Sequence, residues 1–217
     1  MLDFLLYLAF SVLETYALFF MAFKLFKIDL YPKEMLFSSL IMGFFSYVLR
    51  NDYGLIQVDL FLQFILIFCF MWMLFKIHFF YAAIMTGITY QAYSLIQTLY
   101  YFLLSKTTLF SVDFNFVTQF PVYLLQALSA TTAIIIGTYI SKKRKGFDFV
   151  PDKPTGRINI TTREKVLFFL NLPSILIVLS TMYFSEHLMQ YYFIIPLSYA
   201  LVLYSFLYLS YKKDRSD

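Results

Sequence analysis

The stretch from Leu2 to Phe26, LDFLLYLAFSVLETYALFFMAFKLF, decides the fold. Its only charged residues are Asp3, Glu14 and Lys24. As an α-helix, 25 residues at about 1.5 Å each reach far enough to cross a hydrocarbon core of roughly 30 Å. In lipid such a run must be helical, because every backbone N–H and C=O then finds a partner within its own segment. Six further apolar runs follow: Met35–Leu49, Leu55–Phe75, Ile77–Leu104, Phe120–Ile140, Val166–Phe184 and Leu188–Tyr211. These runs are continuous and about twice the ten-residue alternating strand of a membrane β-barrel. The sequence predicts an all-α integral membrane protein, a bundle of seven transmembrane helices in one polytopic domain over residues 1–217.

Composition leads to the same class. The chain is 61% apolar, 22% aromatic and 14% charged, against roughly 25% charged in soluble domains. A water-soluble globule of this size has too little interior to hide so much apolar side chain. The net charge of +4 raises a nucleic-acid partner, but the cations cluster at the ends of apolar runs, where they set topology, and no nucleic acid is expected. The first Lys or Arg is Lys24, so the amino end lacks the basic region of a secretory signal peptide and the first span is expected to stay.

Orientation follows from alternate connections. With the amino terminus outside, fifteen of the seventeen Lys and Arg fall inside, leaving only Arg50 and Lys106 outside. The carboxyl terminus is then cytoplasmic and the location is the cell membrane, with multiple passes. Met35–Leu49 is the short run, 15 residues or about 22 Å. If it were re-entrant, six spans would remain and the partition would worsen to twelve inside and five outside. The longest connection is the basic cytoplasmic loop at residues 141–165, SKKRKGFDFVPDKPTGRINITTREK. Thr161 and Glu164 stand at capping-box spacing and should start the sixth helix. Asn159–Thr161 matches a glycosylation sequon, accidental on the cytoplasmic side.

Within the spans, polar groups are the candidates for function. Glu14 lies near the middle of the first span, where a carboxylate costs roughly 3 kcal/mol even on lenient insertion scales. It must face protein or water, either as a proton- or ligand-binding group or as a helix-packing one. Asp59 enters the third span with Gln63 one turn deeper and Arg50 across a short turn. An Arg50–Asp59 surface pair accounts for this with no function; the rim of an outward-facing pocket is the rival reading. Gln91, Ser94 and Gln97 form one stripe on the fourth helix, and Gln126 and Ser129 lie on the fifth. The ligand- or proton-binding candidates are Glu14, Asp59, Gln63, Gln91 and Gln126. Pro173 and Pro196 should kink the last two helices, and Tyr100 and Tyr101 should anchor at the outer interface.

Catalytic chemistry has little to work with. The chain has two histidines and one cysteine, Cys69, within FILIFCFMWMLF, where it reads as packing. Cys69 and His78 differ in depth along their helices, HExxH is missing, and Glu186–His187 is a lone pair. Neither an enzyme, a cofactor nor a metal site is expected.

The segments LETYALFFMAFKLFKI and KKRKGFDFVP, the closely spaced helices and the basic loop before the last pair are similar to the membrane sensor part of accessory-gene-regulator-type peptide-receptor histidine kinases of Gram-positive bacteria. The resemblance covers Leu2 to about Tyr211. It implies a receptor-like sensory module, without the kinase part that follows the last span in that family. Beyond the lipid bilayer, it implies a peptide ligand or a cytoplasmic or membrane protein partner. The alternative is a small proton-coupled solute transporter, with Glu14 as the coupling carboxylate.

Overall fold

A computed structural model describes residues 2–105, 120–151, 161–183 and 194–215. Every regular element among them is helical. Helix α1 is Leu2–Leu25, with Asp3 in its first turn and Lys24 in its last, each complementing the helix dipole. Helix α2, Pro32–Tyr47, starts on a proline that has no amide to lose and continues into a π-helical turn, Val48–Asp52. Helix α3, Ile56–Cys69, likewise ends in a π turn, Phe70–Leu74. Then come α4, Phe79–Ser105, α5, Phe120–Lys142, α6, Thr162–Phe169, α7, Asn171–Tyr183, and α8, Ile194–Asp214. Four helical stretches are long and apolar enough to cross a membrane: Asp3–Leu25, Phe120–Lys142, Thr162–Thr181 and Ile194–Asp214.

The expected second run, Met35–Leu49, is longer in the structure. Sixteen α-helical residues are followed directly by five π-helical ones, about 31 Å of near-continuous helix at 1.5 Å per residue. The apolar run ends at Leu49 because Arg50 is charged, but Arg50 lies inside the π turn. The expected bend at Pro173 is a break: α6 ends at Phe169, and α7 restarts at Asn171. Pro173 has no N–H to return to the Phe169 carbonyl, so one rung of the ladder is lost, while Leu170 still bonds Val166 and Ser174 still bonds Leu170 and the two pieces stay one rod. Pro196 lies in the first described turn of α8.

Successive rods alternate in direction. At one end, the Phe23 ring near the close of α1 packs 4.8 Å from Phe75 after α3, and Tyr31 ahead of α2 lies 6.2 Å from the same ring. Phe147 after α5 donates its N–H to the Leu25 carbonyl at 2.7 Å. Tyr81 early in α4 donates to Glu164 early in α6 at 2.9 Å, and Lys213 late in α8 lies 4.0 Å from the same carboxylate. At the other end, Tyr7 meets Ser46, Phe10 stacks on Tyr123, and Thr181 meets Tyr199. Thus α1, α3, α5 and α8 run one way and α2, α4 and the α6–α7 rod the other. Of the described Lys and Arg, all but Arg50 gather at the first end, hereafter the basic face.

Helix ends at the two faces use one device with different residues. A residue in the left-handed region follows α1, the two π turns and α5: Lys27 (φ 52°), Gly54 (φ 66°), Lys76 (φ 55°) and Arg144 (φ 52°). Behind Lys27 and Arg144 the next amide reaches back five residues, Ile28 to Phe23 and Lys145 to Ile140, which satisfies otherwise orphaned carbonyls. Glycine holds the position away from the basic face, and cations hold it on that face.

The loop after α5 is not free throughout. Gly146 passes so close to the end of α1 that an added Cβ would meet the Leu25 carbonyl oxygen at 2.7 Å. Phe147 and Val150 are buried, and the Phe147 and Phe149 rings each lie 5.8 Å from Phe26. Lys27 pairs with Asp148, and the Asp148 amide donates to Asp214. Residues 146–150 therefore form an apolar strap across the basic face, which the basic composition of the loop concealed. The predicted capping box stands as read: Thr161 and Glu164 exchange bonds between side chain and backbone. The carboxylate is also buried, with Tyr81 as a second partner.

Apolar side chains cover the outside. On α8, Leu197, Leu201, Tyr204 and Tyr208 are exposed in one stripe while Tyr199, Val202 and Phe206 face inward. In water such a stripe would be a large uncovered patch; in lipid it is the expected surface.

Candidate functional site

A cavity of about 200 Å³ lies in the half of the bundle away from the basic face. Its walls come from α1, α2 with its π turn, α3, α4 and α5, and its charged lining residues are Glu14, Arg50 and Asp59. Gly43 lets α1 and α2 approach, since a Cβ there would lie 3.2 Å from the Leu8 side chain and 3.3 Å from Ser11.

Asp59 is wholly buried, at 0% exposure. Its Oδ2 accepts from Arg50 Nε at 2.5 Å and from Ser46 Oγ at 2.9 Å, and its Oδ1 accepts from Gln63 Nε2 at 3.2 Å. Ser46 has one hydroxyl proton, and giving it to Asp59 makes Tyr7 the donor in the 2.7 Å Tyr7–Ser46 bond. Ser46 and Arg50, four residues apart, share a helix face and reach Asp59 together. Gln63 also donates to the Met42 carbonyl at 3.1 Å, tying α3 to α2. The pair is thus not the surface contact that the sequence favoured. The short α2–α3 turn folds Arg50 inward over a carboxylate already held by two neutral donors, and the pair forms part of the cavity wall.

Glu14, near the midpoint of α1, is held from two other helices. Gln97 on α4 donates to Oε1 at 2.6 Å, and Gln126 on α5 donates to Oε2 at 2.8 Å. Both partners are neutral, while Arg50, the cation lining the same cavity, is engaged with Asp59. Two lining groups retain unused capacity. Gln126 Oε1 is buried with no hydrogen-bond partner among the described residues, Gln126 at 5% exposure, and the Tyr93 hydroxyl, at 4% exposure, lies against the Glu14 carboxylate with its oxygen free to accept.

Of the residues singled out from sequence, Glu14, Asp59, Gln63 and Gln126 meet in this one cavity. Gln91 does not: it is fully buried, and both its amide atoms lack a partner among the described residues. The stripe on α4 therefore divides, Ser94 and Gln97 turning to the cavity and Gln91 away from its lining. Tyr7, Ser46 and Tyr93 line the site with no distinctive signal in the sequence. Arg50 had one, as a rare cation away from the basic clusters. Tyr101 also lines the cavity, and Tyr100 bonds Thr132 across α4 and α5 at 2.8 Å, so neither serves only as an interface anchor. Glu186, His187 and Asn159 lie outside the described residues.

Toward the basic face the cavity is closed. Met42 and Ile67 line its end, and beyond them Phe19, Phe23, Met35 and Met71 are buried at 2% exposure or less. Phe75 packs on Phe19 at 5.4 Å and on Phe23 at 4.8 Å, completing an aromatic plug. Among the described residues no group of three or more His, Cys, Asp or Glu could hold a metal ion.

No known family matches the chain, and neither does any curated protein or solved structure.

Proposed function

We propose that the chain is a seven-span protein of the cell membrane, amino terminus outside, acting as a non-catalytic receptor-like module whose outer cavity receives a ligand. The alternating rods and the cations collected at one face support the span number and the orientation. The observation that carries the binding reading is the blind cavity: charged and polar at its walls, stopped toward the basic face by the Phe19–Phe75–Phe23 plug. A cavity whose largely apolar wall carries a few charged and polar groups, and which ends against a packed layer, is suited to holding a molecule rather than passing it. The likeness to peptide-receptor sensor modules accords with this reading. A partner at the basic face would meet the exposed cations Lys142, Lys143 and Lys145.

The test is access. In a Cys69→Ala background, Ser94→Cys on the cavity wall should react with a small membrane-impermeant thiosulfonate applied to intact cells. Reaction only after the inner face is exposed would overturn the reading.

A second reading, proton-coupled transport, draws on one observation: Glu14 sits at mid-helix and bonds both α4 and α5, as a coupling carboxylate would. Its test is solute flux into proton-loaded vesicles, where Glu14→Gln should abolish coupling. Unchanged flux removes Glu14 from any such mechanism.

A further inference from the structure

We propose that the cavity is a site for a protonated amine, with Glu14 as its counter-ion; this rests on the reading of the chain as a ligand-binding module. Asp59 and Arg50 neutralise one another, and both oxygens of Asp59 are engaged. Glu14 is left as a carboxylate with one neutral amide donor on each oxygen and no cation within ion-pairing distance among the described residues. The lining thus holds one carboxylate with no cationic partner, and a buried carboxylate is neutralised either by its own proton or by a bound cation that takes the proton's place.

Geometry selects the kind of cation. An ammonium group presents three N–H donors and no acceptor. Around Glu14 the cavity offers three kinds of acceptor: the remaining lone pairs of the carboxylate, Gln126 Oε1, buried and otherwise unsatisfied, and the oxygen of the Tyr93 hydroxyl, which lies against the Glu14 carboxylate. The rings of Tyr90, Tyr93 and Tyr101 lie in the same wall, and aromatic faces attract a desolvated cation. A divalent metal ion is poorly served, because calcium takes about six to eight oxygen ligands and Glu14 is the one carboxylate not already paired. The cavity of about 200 Å³ falls below the roughly 300–1,000 Å³ of sites for drug-sized ligands. Its occupant is therefore a small free amine, or the end of a lysine-like side chain presented by a larger peptide.

The experiment uses the full chain in phosphatidylglycerol nanodiscs, whose lipid carries no amine, with empty discs as blank. Calorimetric titration with n-butylammonium should show saturable binding at least tenfold tighter than with n-butanol, the neutral molecule of the same length. Glu14→Gln should weaken it tenfold or more, and Tyr93→Phe severalfold, without a change in melting temperature. Titration with Nα-acetyl-lysine methylamide separates the sources: tighter binding than n-butylammonium supports an amine borne by a peptide, and weaker binding supports a free solute. Equal affinity for n-butylammonium and n-butanol overturns the proposal, as does displacement of the amine by sodium at equal concentration. If Glu14→Gln does not fold, the comparison of the two four-carbon probes on the native chain and the Tyr93→Phe variant decide. Should no amine bind while the Ser94→Cys variant still reacts from outside, the amine assignment falls and the binding module stands. Should that cysteine also be unreachable, the module reading falls with it.

Discussion

Arg50 donates through Nε to Asp59 at 2.5 Å, and the two partners are unequally sheltered: the Arg50 side chain keeps 23% exposure while that of Asp59 keeps none. Deleting one partner is therefore not equivalent to deleting the other. Removing Arg50 strands a fully buried carboxylate; removing the Asp59 charge leaves a cation on a long side chain that is only partly covered.

Arg50→Ala should accordingly destabilise the protein by about 3 kcal/mol, in the range seen when one member of a buried pair is removed. Asp59→Asn should cost clearly less, and the double variant should recover part of the Arg50→Ala loss. Denaturant titration in detergent, followed by intrinsic fluorescence, gives all three values. Equal losses from the two single variants would contradict the asymmetry.

Gly146 admits no side chain without moving backbone, since its added Cβ would fall 2.7 Å from the Leu25 carbonyl oxygen. Gly146→Ala should displace the strap and break the Phe147–Leu25 bond, costing about 1–3 kcal/mol as overpacking does. Hydrogen exchange at the Phe147 amide should rise by tenfold or more, with the Glu14 cavity unchanged in access.

Gly54 and Lys76 occupy the same left-handed position behind two π turns, at φ 66° and φ 55°. Gly54→Ala should cost about 1 kcal/mol, and Lys76→Gly should stabilise by a similar amount, because a Cβ is disfavoured in that region. The melting temperature should move in opposite directions for the two variants. Lys76→Gly also removes the cation between α3 and α4, so a larger fraction of misoriented chains should appear when topology is scored by labelling.

In the Cys69→Ala background, Asn51→Cys should react with an impermeant maleimide on intact cells, whereas Lys142→Cys should react only after permeabilisation. Both positions are exposed, so a negative result is not due to burial. Labelling of the two from the same side would overturn the seven-span orientation.

The helices were legible because an apolar run of this length has almost one backbone form available, a helix whose hydrogen bonds close within the segment. Local pairings were legible as well. Thr161 with Glu164 and Asp59 with Gln63 are three and four residues apart, and both pairs form as spacing predicts. What the sequence did not carry is partnership over distance. Glu14 meets Gln97 and Gln126 at separations of 83 and 112 residues, which no periodicity encodes. The burial of Asp59 was misjudged because a charge near a helix end ordinarily faces solvent; here Ser46, Arg50 and Gln63 supply enough donors to hold it inside. The extent of α2 was underestimated because Arg50 reads as a terminus in sequence and is accommodated by a π turn in structure.

The plug formed by Phe19, Phe23 and Phe75 bears on how news of an occupant would travel. Nothing crosses a sealed floor, so a message can reach the far side only as a change in the relative populations of two shapes of the floor itself. A tenfold preference of the occupant for one shape is worth about 1.4 kcal/mol, comparable to one well-oriented aromatic contact. Sensitivity would then be tuned by how nearly balanced those rings are between their resting and displaced positions, and not by how tightly the guest is gripped.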